Sequence, residues 1–372
     1  MRFLHTADWQ IGTQFGGFSA EEAVHLTEAR FDTVREIARL ATQRQVDAVL
    51  VAGDVFDQQT VSNTVIRKLF GALDAFAGPW FFLPGNHDAA LTESVWKRAQ
   101  RLNCIPPQAR VVLEPGVILV DALALALVCA PLTQRNTYDD TTSFFDHAES
   151  PPGYFRVGLA HGSVTGVLPA SIDSANPIAA DRAARARLDY LALGDWHGVK
   201  MIDARTWYSG TPEPDRFRNN QPGCVLDVTL RAPGEPAKVE PFRVGQYTWH
   251  DRSATLTVAS DLDELKKTLA SLTRRDVLKL RIDGAATLTE AEALQHLLEA
   301  TGAQVRALRA DSHALQVLPT ADELSTLGAQ GGYLAAVVSR LRSLQDDPLA
   351  SRTATDALML LAQFQRDARA AG

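Results

Sequence analysis

Short apolar runs recur along this chain, and five of them break at once into a carboxylate, a histidine or an asparagine. They are FLHTAD ending at Asp8, VLVAGD at Asp54, FFLPGNHD at Asn86, His87 and Asp88, VGLAHG at His161, and YLALGDWHG at Asp195 and His197. An apolar run bounded by turn residues reads as a strand buried on both faces. Side chains delivered from the carboxyl ends of neighbouring strands converge on one crevice, which is where open α/β sheets place their ligands. The pattern predicts a metal cluster.

Between these runs the spacing turns helical. Ser19-Ala-Glu-Glu22 is a capping-box pattern, and Val24, Phe31, Val34, Ile37, Ala38 and Ala41 recur at helical intervals, predicting a helix that ends near Gln45. Asp47 to Val51 reads as strand, Val61 to Phe76 as helix, Pro79 to Leu83 as strand and Glu93 to Arg101 as helix. From Val111 to Ala130 two strand-like runs follow directly on each other, predicting antiparallel hairpins. Tyr154 to Ala160, Leu188 to Leu193, Trp207 to Ser209 and Cys224 to Thr229 are further β segments. The predicted fold is α/β, with two stacked mixed β-sheets flanked by helices.

After about Gln246 the pattern changes to a small α+β module without a ligand cluster. Ala254 to Val258, Val277 to Ile282 and Val305 to Arg309 read as strands, and Asp261 to Leu272 and Leu288 to Thr301 as helices, the last with a Thr287-x-x-Glu290 cap. Beyond Pro319 the chain is helical over Leu334 to Leu344 and Thr353 to Ala370, with Leu358, Leu361, Ala362 and Phe364 expected around one face. The expected domains are 1–245, 246–325 and 326–372, the last a docked helical pair or a partner surface.

Composition narrows the reading. A chain of 372 residues holds two or three domains, and 46% hydrophobic content is ordinary for globular proteins. No run approaches the ~18 apolar residues of a membrane span, and the interrupted start MRFLHTADW is no signal peptide, so a cytoplasmic protein is expected. Cys104, Cys129 and Cys224 fit neither a metal knuckle nor a disulfide framework. A net charge of -7 argues against broad electrostatic attraction to nucleic acid, which needs Lys and Arg to displace phosphate counterions. Polyanion contact must therefore be local, through metals, or through a partner.

In combination and in this order, the motifs D-x-Q, GD, GNHD, H and GDWH resemble the calcineurin-like metallophosphoesterases, whose pattern is D-x-H, GD, GNH[DE], H and GHxH. HTADW, VAGDVFD and the added C-terminal module are most similar to SbcD-type DNA-repair nuclease subunits. The resemblance implies that Asp54 bridges two divalent ions. Asp8, Gln10 and His197 would complete the first and Asn86, His161 and Asp195 the second, a pair that clamps a phosphodiester during in-line displacement. His87 becomes the general acid or phosphate-oxygen stabiliser, with Asp88 fixing its orientation.

Gln10 and Asp195 stand where the family usually has His, leaving two imidazoles among seven expected ligands. Oxygen donors favour harder ions, so manganese is expected first and magnesium second, ahead of zinc. Asp57, in GDVFD, replaces a His near the substrate phosphate, and Arg216 and Arg218 are expected at the phosphate backbone, with Arg205 nearby. Arg182, Arg185 and Arg187 are read as a solvated helix face, and Trp9 and Trp196 as packing beneath the site or stacking on a base.

The leading expectation is a DNA phosphodiesterase, exonuclease or endonuclease, acting in repair with an SbcC-like coiled-coil ATPase, because this chain has no G-x-x-x-x-G-K-[ST] motif of its own. A homodimer is compatible with it. The alternatives are a small-molecule phosphodiesterase or phosphatase, and a non-catalytic binding subunit with weakened metal affinity.

Overall fold

The computed structural model describes the chain except residues 168–174, 219, 319, 321–331, 348 and 371–372, and except the side chains of 362, 363 and 365–370. It divides into two compact units, Met1–Thr248 and Trp249–Gly372.

In the first unit, β1 (Arg2–Thr6), α1 (Ala20–Arg44), β2 (Ala48–Ala52), α2 (Asn63–Gly71), β3 (Trp80–Leu83) and α3 (Val95–Arg101) alternate and lead into β4 (Ala109–Val111). There follow β5 (Gly116–Val120), β6 (Leu125–Ala130), β7 (Phe155–His161), β8 (Ser163–Val164), β9 (Pro177–Ile178), α4 (Arg182–Arg185), β10 (Tyr190–Gly194), β11 (Lys200–Met201), β12 (Thr206–Tyr208), β13 (Cys224–Thr229) and β14 (Lys238–Arg243). Two six-stranded sheets result, ordered β14-β13-β1-β2-β3-β4 and β11-β12-β10-β7-β6-β5. β1 to β4 run parallel, as do β6, β7, β10 and β12, and antiparallel strands complete each sheet.

Local chemistry accounts for the boundaries. The Ser19–Glu22 capping box forms in full at the start of α1, and Gln45 closes its end in the left-handed conformation. Ser62 caps α2 by accepting from the Val65 N–H, and the helix yields to turns at Ala72, so it is shorter than the Val61 to Phe76 periodicity predicts. The predicted chain of hairpins from Val111 is half right. β5 and β6 pair antiparallel, but β4 joins β3 in the first sheet, and the turn at Val112 to Pro115 carries the chain across to the second.

Strand alternation packs each sheet on two sides. Phe3, Ala7, Leu50, Ala52 and Leu83 of the first sheet meet Leu127, Leu159, Tyr190 and Ala192 of the second, while Leu4, Val49, Val51 and Phe82 face Phe31, Val34 and Ile37 of α1. On the second sheet's outer face Ala160, Leu191 and Leu193 pack with Phe145, Ala183 and Ala186. Both faces are dry, which is why the strands read as unbroken apolar runs. Arg182 corrects the expectation of a solvated basic face: it is buried and pairs with Asp140 at 2.8 Å and Asp146 at 2.5 Å.

In the second unit β15 (Thr248–Leu256), β16 (Asp276–Ala286) and β17 (Ala307–Val317) form a three-stranded sheet with α5 (Ala259–Ala270) and α6 (Leu288–Gln304). All three strands outrun their predicted lengths because one face is open to solvent, so charged positions such as Arg281 and Asp311 lie inside strands. Helices Gly332–Gln345 and Ser351–Ala370 follow, with Val338, Leu341, Leu358 and Leu361 in one apolar cluster. Phe364 is 67% exposed and does not join that face, and the side chain of Ala362 lies outside the described residues. No helix among the described residues is long and apolar enough to cross a membrane.

Candidate metal centre

The carboxyl ends of β1, β2 and β3 in one sheet, and of β7 and β10 in the other, carry the motif residues. Asp8, Asp54 and His161 present ligand atoms all within 4.8 Å of one another, and all three are buried. Gln10 Nε2 donates to Asp54 Oδ2 at 3.0 Å. The far end of the Asn86 amide lies 3.1 Å from His161 Nε2 and 3.0 and 3.2 Å from the two Asp54 oxygens. Asp195 approaches from β10, with Oδ1 3.9 Å from His161 Nε2 and its N–H donating to Asp8.

The backbone bends sharply to present these groups. Asp8, Gln10, Asp54 and Asp195 all have positive φ, at 54°, 49°, 52° and 105°. For a non-glycine residue this conformation costs roughly 1–2 kcal/mol, and such outliers concentrate at functional sites. The glycines of the motifs make room: a Cβ on Gly53 would lie 2.2 Å from His161 Nδ1, and one on Gly85 2.2 Å from Asp54 Oδ1.

Both histidines are oriented from behind. His161 Nδ1 donates to the Ala52 carbonyl at 2.8 Å, which leaves the Nε2 lone pair facing the cluster. His197 Nδ1 lies 3.2 Å from an Asp215 oxygen, leaving its Nε2 available in the same way. Asp215 is not visible as a site residue in the sequence; its one signal is its position between the Tyr208-Ser-Gly segment and Arg216. Arg216 lies on it, with Nη2 at 2.7 Å, so this guanidinium is engaged by a carboxylate rather than standing ready for phosphate alone. Arg218 is exposed. Arg205 is not near the site: it lies just before β12, at the opposite strand ends, and donates to the Leu188 carbonyl.

The expected partnership of Asp88 with His87 is not what the structure has. Asp88 is wholly buried and accepts from the backbone N–H groups of Gly85, Val55 and Phe56, tying the β3 loop to the β2 loop. His87 is oriented by Asp57 instead: its Nδ1 donates to the Asp57 carbonyl at 2.7 Å, with the Asp57 carboxylate 3.9 Å away. Trp9 is buried beneath the site, edge-on to Trp80 and Phe82, with its Nε1 donating to Thr6. Trp196 is partly buried, with Lys200 Nζ over its ring.

Charge crowding fits a cation. Burial pushes the Asp8 carboxyl up to about 6 and the Asp88 carboxyl up to about 7, in both cases with Asp54 adding to the rise. Burial alone would lower His161, but Asp54, Asp8 and Asp195 outweigh it and push the imidazole up to about 9. Gln10 Oε1 is buried with no hydrogen-bond partner. The centre gathers the Asp8 and Asp54 carboxylates, the Gln10 and Asn86 amides and the His161 imidazole, and in the metal-free chain the amide N–H groups of Gln10 and of the turned Asn86 donate to Asp54. Divalent cations with oxygen and nitrogen ligands satisfy such a set.

Comparison with known proteins agrees with this geometry. The family described as Calcineurin-like phosphoesterase matches residues 1–199, more than half of the chain. The SbcD chain of the SbcCD nuclease of Rhodobacter capsulatus is 41% identical over 95 residues, 24% of this chain and 22% of that protein. Its counterpart in the SbcCD nuclease of Bacillus subtilis is 27% identical over 274 residues, 64% of this chain and 68% of its own. An uncharacterized metallophosphoesterase of the same species, YhaO, is 23% identical over 214 residues, 55% of this chain and 50% of its own. The match thus spans from about a fifth to two thirds of these relatives' lengths.

Proposed function

This chain belongs to the calcineurin-like phosphoesterase family, and from that premise we propose that it is a metal-dependent DNA phosphodiesterase of the SbcD type, acting in DNA repair. The observation that carries the reading is the buried cluster of Asp8, Asp54 and His161, whose ligand atoms lie within 4.8 Å of one another, beside the orphaned Gln10 oxygen. Likeness to the SbcD chains of SbcCD nucleases supports nucleic acid as the substrate.

Asp54 would be shared by two ions, with Asp8, Gln10 and His197 on the first and Asn86, His161 and Asp195 on the second, manganese before magnesium by the predominance of oxygen donors. Bound there, the ions would neutralise phosphate charge and polarise the scissile P–O bond. His87, held through Nδ1 by the Asp57 carbonyl, presents Nε2 outward and, when protonated, donates to a phosphate or leaving-group oxygen. Asp88 holds the loop that carries His87. Arg216 and Arg218 attract the flanking phosphates, Arg216 while still on Asp215. We assign catalysis to Met1–Thr248, and substrate length and docking of an SbcC-like coiled-coil ATPase in the cytoplasm to Trp249–Gly372.

The test is metal analysis of the purified protein with hydrolysis assays on single-stranded DNA, duplex DNA and a small chromogenic diester, each with manganese, magnesium and zinc. Manganese-dependent release of nucleotides from DNA is expected. Cleavage of the small diester with DNA untouched would favour a second reading, a small-molecule phosphodiesterase, for which the Asp57 carboxylate beside His87 speaks.

A further inference from the structure

The candidate centre is assembled from two sheets, yet what lies between them is almost entirely apolar. Apolar contact is strong and undirected: its free energy follows buried area, about 25 cal/mol per Å², and changes little when one sheet slides on the other. Hydrogen bonds weaken steeply off their geometry, so the few that cross the gap define the register. Some lie in the connecting loops, from the Leu132 N–H to the Pro84 carbonyl, from the Ala90 N–H to the Leu132 carbonyl and from the Gly234 N–H to Asp189. One set lies within the site itself, from His161 Nδ1 to the Ala52 carbonyl and from the Asp195 N–H to Asp8. Another lies deeper. His5 of β1 points into the interlayer core, its Nε2 3.1 Å from the Leu193 carbonyl and its Nδ1 3.0 Å from the Tyr190 hydroxyl, both on β10.

A carbonyl only accepts, so His5 carries its proton on Nε2 and Nδ1 takes the Tyr190 proton. Both residues are wholly buried, and the rings meet edge to face at 5.7 Å. Burial lowers the imidazole to about 3, which keeps the pair uncharged over the working pH range. Two apolar residues would fill this space without a desolvation cost. The polar pair instead joins the two strands that end in Asp8 and Asp195, about 10 Å along the strand from the first of them.

We propose that His5 and Tyr190 are positioning residues: they fix β1 against β10, and so hold Asp8 and Asp195 at the separation that two metal ions require. The proposal rests on the metal reading above. Its test uses the full chain as Tyr190→Phe, and as the double variant His5→Leu with Tyr190→Phe, which leaves no buried side chain of the pair without a partner. Manganese binding by calorimetry and the spin-coupled signal of a manganese pair by electron paramagnetic resonance are read beside the metal-free melting temperature.

The single variant should melt lower and bind the second ion ~10–100-fold more weakly, the range for residues behind metal ligands. The double variant should regain stability without regaining affinity or the coupled signal. If it melts like the wild type and also binds both ions with the wild-type signal, the pair is structural only and the proposal falls. If the wild type itself binds no ion pair, the metal reading falls and takes this with it.

Discussion

The two sheets build their halves of the centre differently. On the first, the donor loops are stitched to one another by main chain: the Asp8 N–H donates to the Gly53 carbonyl, Gln10 to Asp54, Ile11 to Val55 and Asp57 back to Ile11. Asp88 adds its bonds to Gly85, Val55 and Phe56. On the second, main chain joins the Gly162 N–H to the Gly194 carbonyl, but across to the other donors each reaches by a single link, His161 to Ala52, Asp195 to Asp8 and His197 to Asp215. A ladder of backbone bonds survives the loss of one member, whereas a single link does not. The first half is a preformed oxygen cradle, and the second is an adjustable arm carrying both imidazoles.

Asp54→Asn strikes the middle of the cradle. It should lose both ions and reduce diester hydrolysis to background, as metal analysis and turnover will read; retention of two ions would break the assignment of Asp54 as the shared ligand. His87→Ala should leave both ions bound and slow turnover by ~10²–10⁴-fold, the usual span for general acid–base help. Unchanged turnover would remove His87 from the chemistry. Asp215→Asn tests the arm, and should weaken manganese binding by ~10–100-fold in calorimetry while the first-sheet donors stay in place. Equal weakening of every ion site would show that the two halves are not independent.

Much of this is legible in the sequence, because a strand buried on both faces announces itself as an apolar run and the donor at its end interrupts that run. Asp8, Asp54, Asn86, His161 and Asp195 stand out in this way. Asp215 does not: it lies in a loop with no flanking periodicity, and only folding brings it to His197. Asp88 reads as a partner of its neighbour His87, but consecutive residues at a tight turn point apart, and its oxygens face N–H groups of another loop. The pairing of β4 escapes the sequence because apolar alternation marks a strand without saying which sheet it joins.

Gln10→His sharpens the contrast by placing an imidazole in the oxygen cradle. Competition titration should show zinc gaining on manganese, and unmoved selectivity would mean that Gln10 is not a ligand. The smallest expected effect concerns pH. In the folded, metal-free chain Asp8 and Asp88 titrate at about 6 and about 7 rather than near 3.8, and His161 at about 9 rather than 6.5. All three bind protons more readily folded than unfolded. The carboxyls add stability below about pH 4 that is lost as pH rises through 6 to 7, and the imidazole adds stability below about 6.5 that is lost through 9. With a chelator present, melting should therefore fall from pH 6 to pH 8. With manganese replacing the protons the slope should flatten or reverse, and identical slopes with and without metal would contradict a shared site.

The left-handed backbone at Asp8, Asp54 and Asp195 also bears on how such a protein drifts over generations. Asparagine tolerates this conformation about as well as aspartate, and β-branched or bulky residues do not. A single base change turns an aspartate codon into an asparagine codon. The easiest mutation at these positions is therefore one that keeps the turn, relieves the repulsion among buried carboxylates and removes the charge the ions need. Lineages descended from this fold should accumulate silent members at these three positions, well folded and without chemistry, more readily than unfolded ones.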